Sequence, residues 1–306
     1  MEPDLEAQRT AITEKQRSIT IFNFAKLLFN KGKNMKLIIT STKDTASTNI
    51  ARQIIDLYKF KKTSETLNEL PIYQQTIGNE EIRLVTITSE SIHAQFITEH
   101  FAPNLLIFIS RHSSQSGIPT LSVHTPGNLT NAAEKGGNPK EISIAPATAM
   151  KEALKEMAQQ VMRKQLAYKV SYECTHHGPS LSVPTMFAEL GSSPAQWKDA
   201  EAAEAVAHAT LAAIKAHQNY PTAIGIGGPH YNEKFTKIAL ITPTAFGHII
   251  PKYAIAQIDA FMLKQCVEKT MEKTQLILLD WKGIKGEDKE KLIETINMVG
   301  LKTEKV

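Results

Sequence analysis

"MKLIIT", residues 35–40, is a short apolar run with its own methionine, followed by the polar turn "STKD" and a helix-compatible stretch. Strand followed by helix is the repeating unit of an α/β fold, and the rest of the chain keeps to it. The runs "IRLVTI", "NLLIFIS", "PTLSVHT", "YKVSYE", "TAIGIGG", "KIALIT" and "QLILLD" read as further strands, with helical patterns between them. That alternation predicts one α/β domain over residues 35–306, with a mostly parallel central sheet flanked by helices. The clearest helix begins at "SSPAQWKDAEAAEAVAHATLAAIKAH", where Ser193 is placed to cap, Pro194 fits the first helical position and Gln196 completes a capping box.

Upstream of Met35 the chain changes character. Residues 1–34 open with Glu2, Asp4 and Glu6 and continue into a short amphipathic stretch with a basic end. This reads as an N-terminal extension, an appendage or an effect of start-site choice, and no chemistry is assigned to it. Its acidic start is unlike a signal peptide, and no apolar run reaches the roughly 18 residues needed to span a bilayer. With only two cysteines, Cys174 and Cys266, the expectation is a cytoplasmic protein with no membrane contact and no evident obligate protein partner. A net charge of +4 permits a nucleic-acid partner without requiring one.

Ligands of open parallel sheets gather outside the carboxyl ends of the strands. Of the ten histidines, six fall at or just after predicted strand ends: His112, His124, His176, His177, His230 and His248. Histidine is the commonest protein metal ligand and titrates near neutrality, so this convergence predicts a metal site, an acid/base site, or both. Adjacent His176 and His177 would face opposite ways in an extended chain unless Gly178-Pro179 turns it. Glu173 could ligate, orient a histidine or act as a general base. Cys174 is read as a small buried hydrophobe. In "ISRHSSQSGIP", Arg111 among serines suits a phosphate or carboxylate. In "GIGGPHY", bare backbone at Gly227 and Gly228 suits an oxyanion, whereas the dinucleotide fingerprint is absent. Lys43 follows the first strand without Walker spacing, and "TPGNLTNAAEKGGNP", residues 125–139, is a long loop able to act as a flap.

The stretches "MKLIITSTKDTASTNI", "SRHSSQSGIPTLSVHTPGN", "YECTHHGPSLSVPTMFAELGSSPAQWKD", "GIGGPHY" and "FGHIIPKY", in this order, resemble the D-aminoacyl-tRNA deacylase family of archaea and plants. The resemblance runs from about Met35 to near the C-terminus. It implies a phosphorylase/peptidyl-tRNA hydrolase-like fold, bound zinc, tRNA as partner, and hydrolysis of the ester between a D-amino acid and the terminal ribose. On that reading some of His112, His124, His176, His177 and His230 hold zinc, which activates a water, and Glu173 takes its proton or positions it. Gly227 and Gly228 would then serve the oxyanion, and Arg111, Lys43, His248 and Lys252 the substrate tRNA. Two rivals keep the sequence pattern: a zinc-free phosphorylase-like or peptidyl-tRNA hydrolase-like enzyme, and a tRNA-binding protein without turnover.

Overall fold

The computed structural model describes residues 35–306, so the N-terminal extension lies outside the described residues. The strands are β1 (Met35–Ser41), β2 (Lys61–Leu67), β3 (Leu70–Ile77), β4 (Glu80–Ile87), β5 (Leu105–Ser113), β6 (Thr120–His124), β7 (Lys169–Tyr172), β8 (Thr185–Ser192), β9 (Thr222–Ile226), β10 (Ala245–Ile250), β11 (Thr274–Leu279) and β12 (Lys302–Lys305). The helices are α1 (Thr45–Tyr58), α2 (Ile97–His100), α3 (Ala147–Lys164), α4 (Pro194–Trp197), α5 (Ala200–Ile214), α6 (Glu233–Ile241), α7 (Ala260–Glu268) and α8 (Gly286–Val299).

The expected α/β domain is present, and its strands form two sheets. The larger has the order β2-β3-β4-β1-β5-β8-β6-β7 and the smaller β10-β9-β11-β12. All three pairings of the smaller sheet are parallel, as are β4-β1, β1-β5, β5-β8 and β6-β7 of the larger. The pair β6-β8 is antiparallel, so β6 and β7 run together against β8 and the strands parallel to it.

Period-2 alternation sorts the larger sheet's side chains. Ile107, Ile109, Val123, Ala188 and Leu190 join α1, α3 and α5 in one core, in which Ile50, Leu154 and Val206 are buried. On the other face Leu37, Phe108 and Phe187 pack with Ile97 and Leu181. The smaller sheet is covered by α7 and α8 through Leu263, Leu292 and Ile296. Leu278 and Phe246 place its opposite face in the core shared with α3.

Local readings were corrected in two places. "KIALIT" is helical, because Asn232 caps α6 by accepting from the Phe235 backbone N–H, and Phe235 and Ala239 then fall on one buried helical face. The single helix expected after Ser193 is two. The Ser193/Gln196 capping box forms on α4, and Asp199 starts α5 by accepting from the backbone N–H groups of Glu201 and Ala202.

Candidate active site

Four neighbouring strands carry the site on one face of the larger sheet. Across β5, β8 and β6 the register aligns Ser110 with Glu189 and Glu189 with Ser122, and two residues along it aligns Phe108 with Phe187 and Phe187 with His124. Alternation therefore sends Ser110, His112, Glu189, Ser122 and His124 out of the same face. Glu173 follows β7 directly, its backbone N–H bonded to the Val123 carbonyl. The histidines meet across a sheet face because β6 runs antiparallel to β8, and not along a common carboxyl edge as the sequence suggested.

The smaller sheet closes the site from the side. The Cys174 backbone N–H donates to the His230 carbonyl and that of Thr175 to the Ile249 carbonyl, which stitches the 173–178 segment to the ends of β9 and β10. These walls bound a cavity of about 810 Å³, lined among others by His112, Glu173, His176, His177, Glu189 and His230. The 125–139 loop forms another wall, with Asn128 and Lys135 on the lining and the Gly127 backbone N–H donating to the His177 carbonyl.

Both adjacent histidines face the site. His177 has φ of 42°, a left-handed conformation rare for a side chain with a Cβ, and this turn brings its ring within 4.2 Å of the His176 ring, centroid to centroid. His124 lies 4.3 Å and 4.9 Å from the same two rings, with Phe187 stacked on its far side.

The donor set fits a metal. His124 is buried with neither ring nitrogen hydrogen-bonded. His176 and His177 spend Nδ1 on the carbonyls of Cys174 and Gly178, at 2.8 and 2.7 Å, which leaves each Nε2 without a hydrogen bond among the described residues, that of His176 3.6 Å from Glu173 Oε2. A carbonyl on one ring nitrogen fixes the tautomer of a ligating imidazole at the other. Burial holds His124 and His176 well below the usual histidine range and brings His177 to about 4, so all three are neutral, the state that binds metal. Ligand atoms of His124, His176 and His177 lie within 4.8 Å of one another, and so do those of Glu173, His176 and His230.

His112 belongs to a different kind of cluster. Its Nδ1 is 3.2 Å from Glu173 and 3.6 Å from Glu189. Burial alone would lower its pKa, but hydrogen bonds and charge attraction from both carboxylates raise it to about 10. It is an imidazolium held between two carboxyl groups, and a protonated ring cannot ligate metal. Burial would raise the Glu173 pKa, but hydrogen bonds from His112 and His230 outweigh it and keep the carboxylate ionised. Glu189 is pushed to about 7, by burial and then by the Glu173 charge. Ser122 and Ser110 donate to Glu173 and Glu189. Sequence reading missed Glu189 and Ser122, and took Ser110 with Arg111 as suited to a phosphate or carboxylate; the signal for Glu189 and Ser122 was a single polar side chain inside an otherwise apolar strand.

Five expected residues do not reach the cavity as proposed. The Gly227 backbone N–H donates to the Ile250 carbonyl, and neither Gly227 nor Gly228 is on the lining, so neither is an oxyanion donor there. His248 is fully buried inside β10, between the Thr175 hydroxyl at 3.1 Å and the Lys269 carbonyl, and cannot touch a tRNA. Lys43 and Lys252 are exposed outside the lining. Arg111 does line it, with its guanidinium bonded to Glu90 at 2.9 Å and to the Lys43 carbonyl. Cys174 is buried and its thiol pushed up by burial, as expected of a small core residue.

Comparison with known proteins agrees with this geometry. Residues 99–304 match the family model described as D-aminoacyl-tRNA deacylase. The chain is 35% identical over 274 residues to the D-aminoacyl-tRNA deacylase of Pyrococcus furiosus, covering 87% of this chain and 98% of that protein. To the protein of that name from Thermococcus kodakarensis it is 37% identical over 276 residues, with the same coverages. A crystal structure described as a conserved protein of unknown function superposes with a TM-score of 0.79 at 32% identity, covering 90% of this chain and 95% of that one. No helix among the described residues is long and apolar enough to cross a membrane. With a family model spanning most of its length and relatives matched nearly end to end, the chain belongs to the D-aminoacyl-tRNA deacylase family.

Proposed function

We propose that the protein hydrolyses the ester of D-aminoacyl-tRNA, D-tyrosyl-tRNA among them, to free tRNA and D-amino acid, with zinc held by His124, His176 and His177. The observation that carries the metal part is His124: a buried imidazole with two unsatisfied nitrogens is costly unless it has a partner, and two free Nε2 atoms face it. Bound zinc would supply polarisation of the ester carbonyl and a water acidified towards neutrality.

The remaining residues have assignable parts. Glu173, held ionised by His112, is too weak a base to keep a proton; its part is to orient. Its Oε2 lies 3.0 Å from Nε2 of His230, whose Nδ1 lies 3.0 Å from the Tyr253 hydroxyl. A carboxylate fixing an imidazole at the edge of a cavity is the arrangement in which the imidazole moves the proton. His230 therefore takes the general acid/base role expected of Glu173 from the family resemblance. Lys135 and Arg111 put positive charge on the cavity wall for the acceptor-end phosphates, and binding should weaken with salt.

Incubation of the purified protein with D-tyrosyl-tRNA and L-tyrosyl-tRNA, with and without a chelator, tests this reading. Release of the D amino acid alone, abolished by chelation and restored by zinc, is expected. Absence of D release would sink the hydrolysis, and full activity without metal would sink the zinc.

A further inference from the structure

Tyr253 is a large aromatic residue left 58% exposed on the wall of a polar cavity. A lone exposed tyrosine is ordinary on a protein surface, but this one is held. Its hydroxyl is 3.0 Å from His230 Nδ1, and its ring lies nearly parallel to the imidazole, 21° and 6.4 Å away between centroids. The backbone beneath it is pinned as well: the Lys252 N–H donates to the Gly228 carbonyl and the Ala254 N–H to the Pro251 carbonyl. Pro251 and Ala254, which flank Tyr253 in sequence, and Leu129 also line the cavity and add apolar surface to its wall.

We infer that Tyr253 is the stacking platform for the nucleobase of the substrate's terminal nucleotide, an adenine in any tRNA. This deepens the proposed function and rests on it for the identity of the ligand. The placement follows from order along the wall. Glu173, the His230 ring and the Tyr253 ring stand in series, joined by two contacts of 3.0 Å each. In an aminoacyl-tRNA the ester, the ribose and the base also stand in series. With the ester carbonyl beside Glu173 and His176, the ribose falls against His230 and the base one ring further, at Tyr253. A ring already fixed by its hydroxyl loses little freedom on binding, which favours the stacked state. Every base has a π-face, so such a platform gives affinity for the acceptor end without reading sequence, as an enzyme acting on many tRNAs requires.

The probe is the unacylated trinucleotide CCA, titrated calorimetrically into the zinc-loaded full chain, so that no turnover is needed. Tyr253→Ala should weaken binding by on the order of tenfold or more, and Tyr253→Phe should retain it, because stacking needs the ring and not the hydroxyl. Equal affinity of Tyr253→Ala and the wild type would overturn the inference. So would a Tyr253→Phe loss as large as that of Tyr253→Ala, which would make the hydroxyl contact with His230 the relevant one. Thermal melts of both variants guard against misfolding, and Trp in place of Tyr253 gives a third reading in which the larger ring should bind at least as well. Tyr253-dependent CCA binding without hydrolysis of D-tyrosyl-tRNA would support the platform while refuting the ester hydrolysis; hydrolysis with CCA binding indifferent to Tyr253→Ala would do the reverse.

Discussion

Replacing Glu173 with glutamine keeps the side chain's volume and removes its charge from among several donors. Ser122 donates to one carboxylate oxygen, His112 Nδ1 stands 3.2 Å from the same oxygen, and His230 Nε2 is 3.0 Å from the other. Removing one partner of a buried ion pair costs about 3–5 kcal/mol, because the remaining charge stays buried. Here the lower figure applies, since the amide oxygen can still accept from Ser122, and Glu189, freed from the neighbouring charge, ionises more readily and takes over part of the pairing at 3.6 Å. About 3 kcal/mol corresponds to a melting temperature lower by roughly 5 °C in a domain of this size. The pH dependence gives the sharper check. His112 is raised from 6.5 to about 10 on folding, so its contribution is fully present below pH 6.5 and is lost as pH rises through 10. Over two pH units above neutrality the wild type should lose about 2–3 kcal/mol from this group, at about 1.4 kcal/mol per unit. The glutamine variant should be flatter, and the gap between the two should narrow to about 1 kcal/mol by about pH 9. Urea melts of chelator-treated protein across that range measure both slopes. Parallel slopes in the two proteins would refute the picture of His112 as an imidazolium held by Glu173.

Three further outcomes follow from particular contacts. His124→Ala should abolish stoichiometric zinc, and with it the rise in melting temperature on adding the metal, worth about 2.7 kcal/mol when free zinc is a hundredfold above Kd; unchanged metal content would remove His124 from the ligand set. A methyl group at Gly178 would come within 2.1 Å of the Gly137 nitrogen, so Gly178→Ala should push the 125–139 loop from the His177 segment and destabilise by about 3 kcal/mol or more, read by urea melts. Lys151, 2% exposed, donates from α3 to the carbonyls of Ala239 in the last turn of α6 and of Thr242 and Thr244 just beyond it. Lys151→Met orphans them and should cost about 3 kcal/mol, with deacylation per folded molecule retained.

Much of the fold was legible because β1, β4, β5, β9 and β11 are apolar runs bounded by turn residues. What failed failed for physical reasons. β8 is buried along its whole length, so it shows no alternation, and Glu189 and Gly191 inside it disguise a central strand. "KIALIT" is apolar enough for a strand, and only the Asn232 cap makes it the end of a helix. Taking it as a strand left β10 as a loop, and His248, which lies within β10, was thereby misplaced at a strand end. The antiparallel turn of β6 and β7 depends on pairing with β8 across some sixty residues of sequence, and nothing local encodes it.

The same limit explains why five histidines read as equivalent in the sequence and divide in the structure. An imidazole is a metal ligand when buried among neutral partners and a cation when buried against carboxylates, and the difference lies in its neighbours. His124, His176 and His177 are kept neutral first by burial, and for His124 and His176 also by the neighbouring imidazoles. His112 instead faces Glu173 and Glu189, and the second of these was hidden in the unrecognised β8. Without Glu189, His112 and Glu173 would form a simple ion pair; with it, the cluster gains a second carboxyl group, pushed to about 7 and so poised to supply a surplus negative charge next to three neutral imidazoles. That is the charge distribution a divalent cation would complete: neutral nitrogen donors for its coordination, and a nearby surplus anion to offset its charge.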